Sequence, residues 1–187
     1  MERYPPIPLD QLNAEQRAVH DAIASGPRGS VRGPFVPLLH SPGFAQQVQS
    51  MGEYLRFKTK LPPALLEFAI IITARRWTAH YEWFAHEKLA RKAGLEPAII
   101  DAIAAGREPD SMSADQRIVH SFVTQVHRRG TPDDATFVAA RDRFGLAGTL
   151  DLLGLCGYYS IVAMVLNTSQ IMPEGEPPLA PLERNYP

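Results

Sequence analysis

The sequence predicts an all-α protein, on three observations. Apolar residues recur at helical spacing along most of the chain, and no segment alternates with the two-residue period of a strand. The 17 prolines cluster at the two ends or stand where a helix would start or stop. With 187 residues, 45% of them hydrophobic, the chain can bury a sizeable core. The expectation is one domain over 1–187, or two fused half-domains sharing an interior, with a helical core at about 10–170.

The elements follow in order. Pro5, Pro6 and Pro8 mark an extended arm over 1–9, and a second proline-rich arm occupies 172–187; both are expected to wrap over a neighbouring subunit. Asp10–Ala24 puts Leu12, Val19 and Ile23 on one side, and Gly43–Lys58 does the same with Phe44, Val48, Met51 and Leu55. Pro62 and Pro63 open a helix whose body, Ala64–Ala74, is apolar nearly all round and therefore belongs inside the fold or at an interface. Thr78 is the expected N-cap of the next helix, Ala79–Ala93, and Gly94 ends it. Helices over Pro97–Ala105, Ala114–Arg129, Pro132–Phe144 and about Ala147–Gln170 complete the set. Asn13-Ala-Glu-Gln-Arg-Ala-Val-His20 reappears as Ser113-Ala-Asp-Gln-Arg-Ile-Val-His120, and an acid follows in an apolar helix each time, Glu67 and Asp151. Two similar halves about a pseudo-twofold axis explain this; so do two coincidences of amphipathic sequence.

Composition excludes several functions. Nineteen Lys+Arg against twenty Asp+Glu give a formal charge of −1, without the basic footprint of a general nucleic-acid binder. No run reaches the roughly 18 to 20 uninterrupted apolar residues of a membrane span. The opening Met1-Glu-Arg-Tyr-Pro-Pro has no apolar stretch of signal-peptide kind. The single cysteine, Cys156, rules out an intramolecular disulfide, a CxxC redox pair and a Cys-based zinc site. A soluble, cytoplasmic protein with neither nucleic-acid nor membrane partner is expected.

The segment able to carry chemistry is Leu61–Gly94. On its second helix Glu82 and His86 form an i,i+4 pair, with Trp83 beside the same stripe. His80 points about 120° away from His86 around the axis, so the two histidines are no ready-made chelate, and no metal is expected. If the two helices pack antiparallel through their apolar faces, Glu67 approaches His86. Desolvation would raise the Glu67 pKa, whereas the helix macrodipole would keep Glu82 ionised in the first turn. Two carboxyls driven apart around an imidazole supply an acid, a base and a shuttle. Each group also has a structural reading: Glu67 as a salt-bridged buried acid, His86 as a satisfied core histidine, Glu82 as a helix-terminal acid. Tyr81, Trp83, Trp77 and Phe84 read as packing or as a substrate box.

This stretch resembles the core motif of the carboxymuconolactone decarboxylase family, which includes the alkyl hydroperoxidase D-like (AhpD-like) thiol enzymes. The peroxidase branch carries Glu, eleven residues, then Cys-x-x-Cys-x-x-x-His; laid here, Glu67 and His86 match and the two cysteine positions fall on Ala79 and Glu82. Tyr81-Glu-Trp-Phe-Ala-His86 is similar to the Tyr-Glu-x-x-x-His run of the decarboxylase-like branch. The resemblance covers most of residues 10–170. It implies an AhpD-like helical fold with two pseudo-repeated halves and assembly as a trimer or hexamer. It implies also a cofactor-independent lyase acting on a small carboxylated lactone or related ring, with Glu67, Glu82 and His86 catalytic. The chain departs from the family in lacking the Arg before the glutamate, where it has Leu66, and in lacking both motif cysteines. Thiol peroxidase activity is therefore disfavoured. The alternative from another class is a non-catalytic oligomeric ligand-binding protein of the same fold.

The loop Ser25–His40 lacks the Gly-Lys-Ser/Thr ending of a phosphate loop. It reads as an ordered lid in which Arg28 or Arg32 clamps a substrate carboxylate, or as a plain connector with solvated arginines. His20 and His120 read as structural, His40 and His127 stand without a constellation, and Cys156 reads as an inert buried thiol.

Overall fold

A computed structural model describes residues 3–175 and 177–182, and among them all regular structure is helical. The order is a 3-10 turn (Leu9–Gln11), then α1 (Ala14–Ser25), α2 (Phe35–Leu38), α3 (Pro42–Phe57), α4 (Pro63–Trp77), α5 (His80–Lys92), α6 (Pro97–Ala104), α7 (Ala114–Arg129) and α8 (Asp134–Ser169). Helix α8 is broken at Gly145, whose φ of 72° and ψ of 171° leave the helical region, so it is two helices end to end as the sequence indicates.

Helix α4 is the centre of the fold. Every residue from Leu65 to Arg75 is buried, and Phe68, Ala69, Ile70, Ile71 and Ala74 are fully enclosed. It packs against α5 on one side and against α7 and α8 on others, so each large apolar side chain gives up its water on whichever face it points. Each such burial is worth about 1.5–3 kcal/mol. A hydrophobic helix with no polar stripe has no stable place except this one.

Helices α4 and α5 are joined by only Thr78 and Ala79. Thr78 adopts a left-handed conformation (φ 47°, ψ 47°) and closes α4, its N–H bonding to Ala74 and Arg75. It is thus the C-cap of α4, not the N-cap of α5. Ala79 fills that position without a side-chain cap, because the chain has to reverse direction within two residues. The tight connection lays α5 back along α4, which brings Glu67 and His86 to the same depth.

The two octets fold alike where they begin. Asn13 and Ser113 each accept from the N3 amide, and Gln16 and Gln116 each reach back to the cap amide. Helix α1 packs on α3, whereas α7 packs on α4 and α8. Asp151 accepts from Tyr54 Oη at 3.0 Å, whereas Glu67 is bonded to His86.

The described parts of both arms make contacts within their own chain: Arg3 Nη1 donates to the Thr168 carbonyl, His40 Nε2 bonds the Pro5 carbonyl, and Leu179 is buried. The rest of the proposed arms, residues 1, 2, 176 and 183–187, lies outside the described residues. On α3, Val48 and Leu55 are buried but Phe44 and Met51 are exposed, as are Tyr54 and Phe57. The helix covers the core with a narrower stripe than its apolar content suggests. By length and composition alone α8 also meets the measure of a membrane-crossing helix, a test that core helices pass too, and half of its most apolar window is buried inside the protein.

Candidate functional site

A cavity of about 540 Å³ opens between α5, the start of the segment after α1, the end of α3 and the second half of α8. That volume is in the range of small-molecule sites, roughly 300–1,000 Å³. His86 lines it and is buried. Behind His86 stands Glu67, also buried, with Oε2 2.7 Å from His86 Nδ1. The carboxylate oxygen accepts from Nδ1–H, which fixes the tautomer and leaves Nε2 without a hydrogen bond from the described residues. The His86 ring meets Tyr159 edge to face at 5.0 Å, and Tyr159 meets Tyr158 in the same way. Burial pushes the His86 pKa down, opposed by the bond and the charge of Glu67 and reinforced by Arg56 and Arg28. The imidazole is a neutral base held in one orientation.

Glu82, one turn earlier on the same helix, differs from its expectation. It is 2% exposed, and neither carboxyl oxygen has a hydrogen-bond partner among the described residues. Burial raises its pKa well above the ordinary carboxylate value. The helix macrodipole was expected to hold it ionised, but a fraction of a charge at a helix end cannot offset loss of the whole hydration shell. Burial therefore favours the protonated, neutral form of Glu82. The Tyr159 hydroxyl is likewise buried without a partner among the described residues, and burial raises its pKa too.

The wall is cationic. Arg28, Arg32, Arg56, Lys88 and Lys92 line the cavity, against the single acid Glu82. The 25–40 loop supplies the first two and so forms part of the site rather than a plain connector. Arg28 is anchored: Nη2 donates to Tyr158 Oη at 3.1 Å, and the guanidinium lies 4.7 Å from the Phe35 ring centre. Arg32 is exposed at the rim. Gly52 is buried beneath Arg28 and Tyr158, where a Cβ would stand 2.0 Å from Tyr158 Oη and 2.4 Å from Arg28 Nη2. Tyr81 lines the cavity and is pressed against Gly33, whose φ is +57°.

Trp83, expected beside the substrate, is 2% exposed and belongs to the core behind α5. Its position next to Glu82 turns it about 100° around the helix, away from the cavity. Leu66 leaves no arginine at that point, and Arg75 bonds Thr78 instead of Glu67. Arg56, Phe57, Tyr158 and Tyr159 also line the cavity, and the sequence pattern does not single them out. They come from α3 and the second half of α8, and the one available signal was a tyrosine pair inside an apolar helix. His120 stacks on Phe68 and His127 bonds Thr73, both away from the cavity. Cys156 is 2% exposed and its thiol is pushed up to about 12 by burial. Among the described residues no group of three His, Cys, Asp or Glu side chains is placed to hold a metal ion.

Neither the comparison with protein-family models nor that with curated proteins returned a match.

Proposed function

We propose that the chain is a cofactor-independent acid–base enzyme, decarboxylase-like and related to the carboxymuconolactone decarboxylase family. Its substrates would be small carboxylated lactones or related rings. The observation that carries this reading is the buried 2.7 Å Glu67–His86 contact at a cation-lined cavity that also holds a buried Glu82 without a partner among the described residues.

The chemistry follows from the protonation states. Arg28 and Arg32 bind the substrate carboxylate or a second anionic group. On loss of CO₂ the carbon–carboxylate bond breaks, and its electron pair delocalises through the ring onto the neighbouring carbonyl oxygen. The Glu82 carboxylic acid and the Tyr159 hydroxyl, each without an acceptor among the described residues, hydrogen-bond that developing oxyanion. His86 then passes a solvent-derived proton to the vacated carbon. Glu67 holds the ring and stabilises the imidazolium while the proton is carried. Because the carbonyl of the substrate accepts the electrons, the proposed reaction calls on no metal or organic cofactor.

Assembly as a trimer or hexamer belongs to the same proposal. Met51, Tyr54 and Phe57 on α3 and Leu150 and Leu153 on α8 are exposed along a seam where the Tyr54–Asp151 bond joins the two helices.

The test is CO₂ release from a panel of carboxylated γ-lactones and β-keto acids. Wild type should turn over at least one compound, with His86→Gln and Glu67→Gln slower by about 10²–10⁴-fold. Equal rates in all three proteins would remove the mechanism. Saturable binding without turnover on any compound would leave a ligand-binding protein.

A further inference from the structure

A second cavity, of about 250 Å³, lies between the last turn of α4, the middle of α7 and the segment that follows α6. Its wall brings together four guanidinium groups, Arg75, Arg76, Arg107 and Arg128, against one carboxylate, Glu108. None of the four forms a salt bridge among the described residues. Arg75 is the most telling, being 4% exposed. Among the described residues its side chain makes one hydrogen bond, Nη1 to Thr78 Oγ1 at 3.3 Å, and its Nε has no partner.

Enclosing an arginine without a counter-ion is unfavourable, because the lost hydration is not replaced. The position of Arg75 in the last turn of α4 is compatible with a cation through the helix macrodipole. That accounts for one positive charge at a helix end. It does not account for four converging on a hollow.

The neighbouring histidines add no compensating charge. Thr73 donates its hydroxyl proton to the Ala69 carbonyl, so His127 Nε2–H donates to Thr73 Oγ1, at 2.9 Å. Burial and Arg76 push the His127 pKa down to about 4, which leaves the ring neutral at ordinary pH. One edge of the cavity is apolar and close-fitting. Leu182 lies against Gly106, where a Cβ would meet its Cδ2 at 2.6 Å.

We propose that this second cavity binds a small multivalent oxyanion, of the phosphate-ester or polycarboxylate class, held by Arg75 from the inside and by Arg76, Arg107 and Arg128 from the rim. Guanidinium groups pair oxyanion oxygens two at a time, and several together match more than one negative charge. The volume is below that of ordinary drug-sized sites, roughly 300–1,000 Å³. The ligand is therefore the anion itself or an ester with a small organic part. The proposal is independent of the chemistry assigned to His86.

The test uses the full chain, titrated separately with inorganic phosphate and with citrate in sodium chloride at constant ionic strength. Thermal stability and the ring NMR signals of His120 and His127 are followed. At least one anion should raise Tm saturably and move both ring signals. The exposed double variant Arg107→Gln/Arg128→Gln should weaken that anion at least tenfold, while Arg32→Gln, at the first cavity, leaves the affinity unchanged. Phosphate binding the tighter would assign the ester class; citrate binding the tighter, the polycarboxylate class. Arg75→Gln should abolish the effect, and the surface double variant decides the matter if Arg75→Gln does not fold. The proposal is overturned if neither anion acts beyond chloride, or if the double variant binds as wild type does. It is overturned too if only Arg32→Gln loses the response, or if a second copy of the chain is found covering these arginines.

Discussion

Replacing Glu82 with Gln tests the protonation state on which the proposed chemistry rests. The side chain is 2% exposed, its two oxygens have no partner among the described residues, and burial raises its pKa well above 4.5. In the unfolded chain the same carboxyl titrates near 4.3. Between those two values the unfolded state releases a proton that the folded state keeps. Glu82 therefore makes its full contribution to stability below about pH 4, and that contribution falls as pH rises through the folded pKa. The slope across the window is about 1.4 kcal/mol per pH unit for one group. Gln fills the same space and cannot ionise, so Glu82→Gln removes this slope. Urea unfolding of both proteins at several values from pH 4 to pH 8 measures it. The variant should gain on wild type steadily as pH rises, by about 1.4 kcal/mol per unit until the folded-state carboxyl titrates. Other titrating groups, His86 among them, are common to both proteins and drop out of the difference. Parallel profiles would mean that Glu82 is ionised in the folded protein, and the acid assigned to the cavity would be lost.

Further consequences are open to direct measurement. Glu67→Gln should move the His86 ring titration to lower pH, because the negative charge that opposes its desolvation is gone while the amide oxygen can still accept from Nδ1–H; NMR of the ring reports it. His127 titrates at about 4 when folded and 6.5 when free, so stability on the order of 3 kcal/mol is lost as pH falls from 6.5 towards 4. His127→Gln should flatten acid unfolding over that window. Gly52→Ala should cost about 1–3 kcal/mol and part Arg28 from Tyr158, since Tyr158 is enclosed and cannot swing clear of the new methyl. Cys156 should be inert to a disulfide reagent in the native protein and react only on unfolding, with no peroxide consumption in the presence of dithiols.

The parts of this structure legible in the sequence are those set by local pattern. The period placed α1 and α3, the proline pair placed the start of α4, and the uninterrupted apolar body of α4 showed that it must be central. The approach of Glu67 to His86 was legible because one short connection between two helices leaves little choice of register. What could not be read depends on partners distant in sequence. Glu82 was assigned by its position in a helix, yet its surroundings come from α3 and α8, and burial there outweighs the dipole. Trp83 followed the same logic in reverse, its ring being claimed by the core. Arg56, Tyr158 and Tyr159 belong to no local motif and become site residues only when α3 and α8 close on α5. Phe44 and Met51 have helical spacing with Val48 and Leu55, but periodicity does not say how wide a stripe the neighbouring helix will cover.

In the proposed reaction His86, oriented by Glu67, moves a proton to or from carbon inside the cationic cavity. Incubating the protein in D₂O with carboxylated γ-lactones and following deuterium at the ring carbons by NMR tests it most directly. Enzyme-dependent incorporation is expected at one ring carbon, reduced about 10²-fold or more in His86→Gln. Incorporation that persists unchanged in His86→Gln, or that never exceeds the buffer rate with wild type, would contradict it.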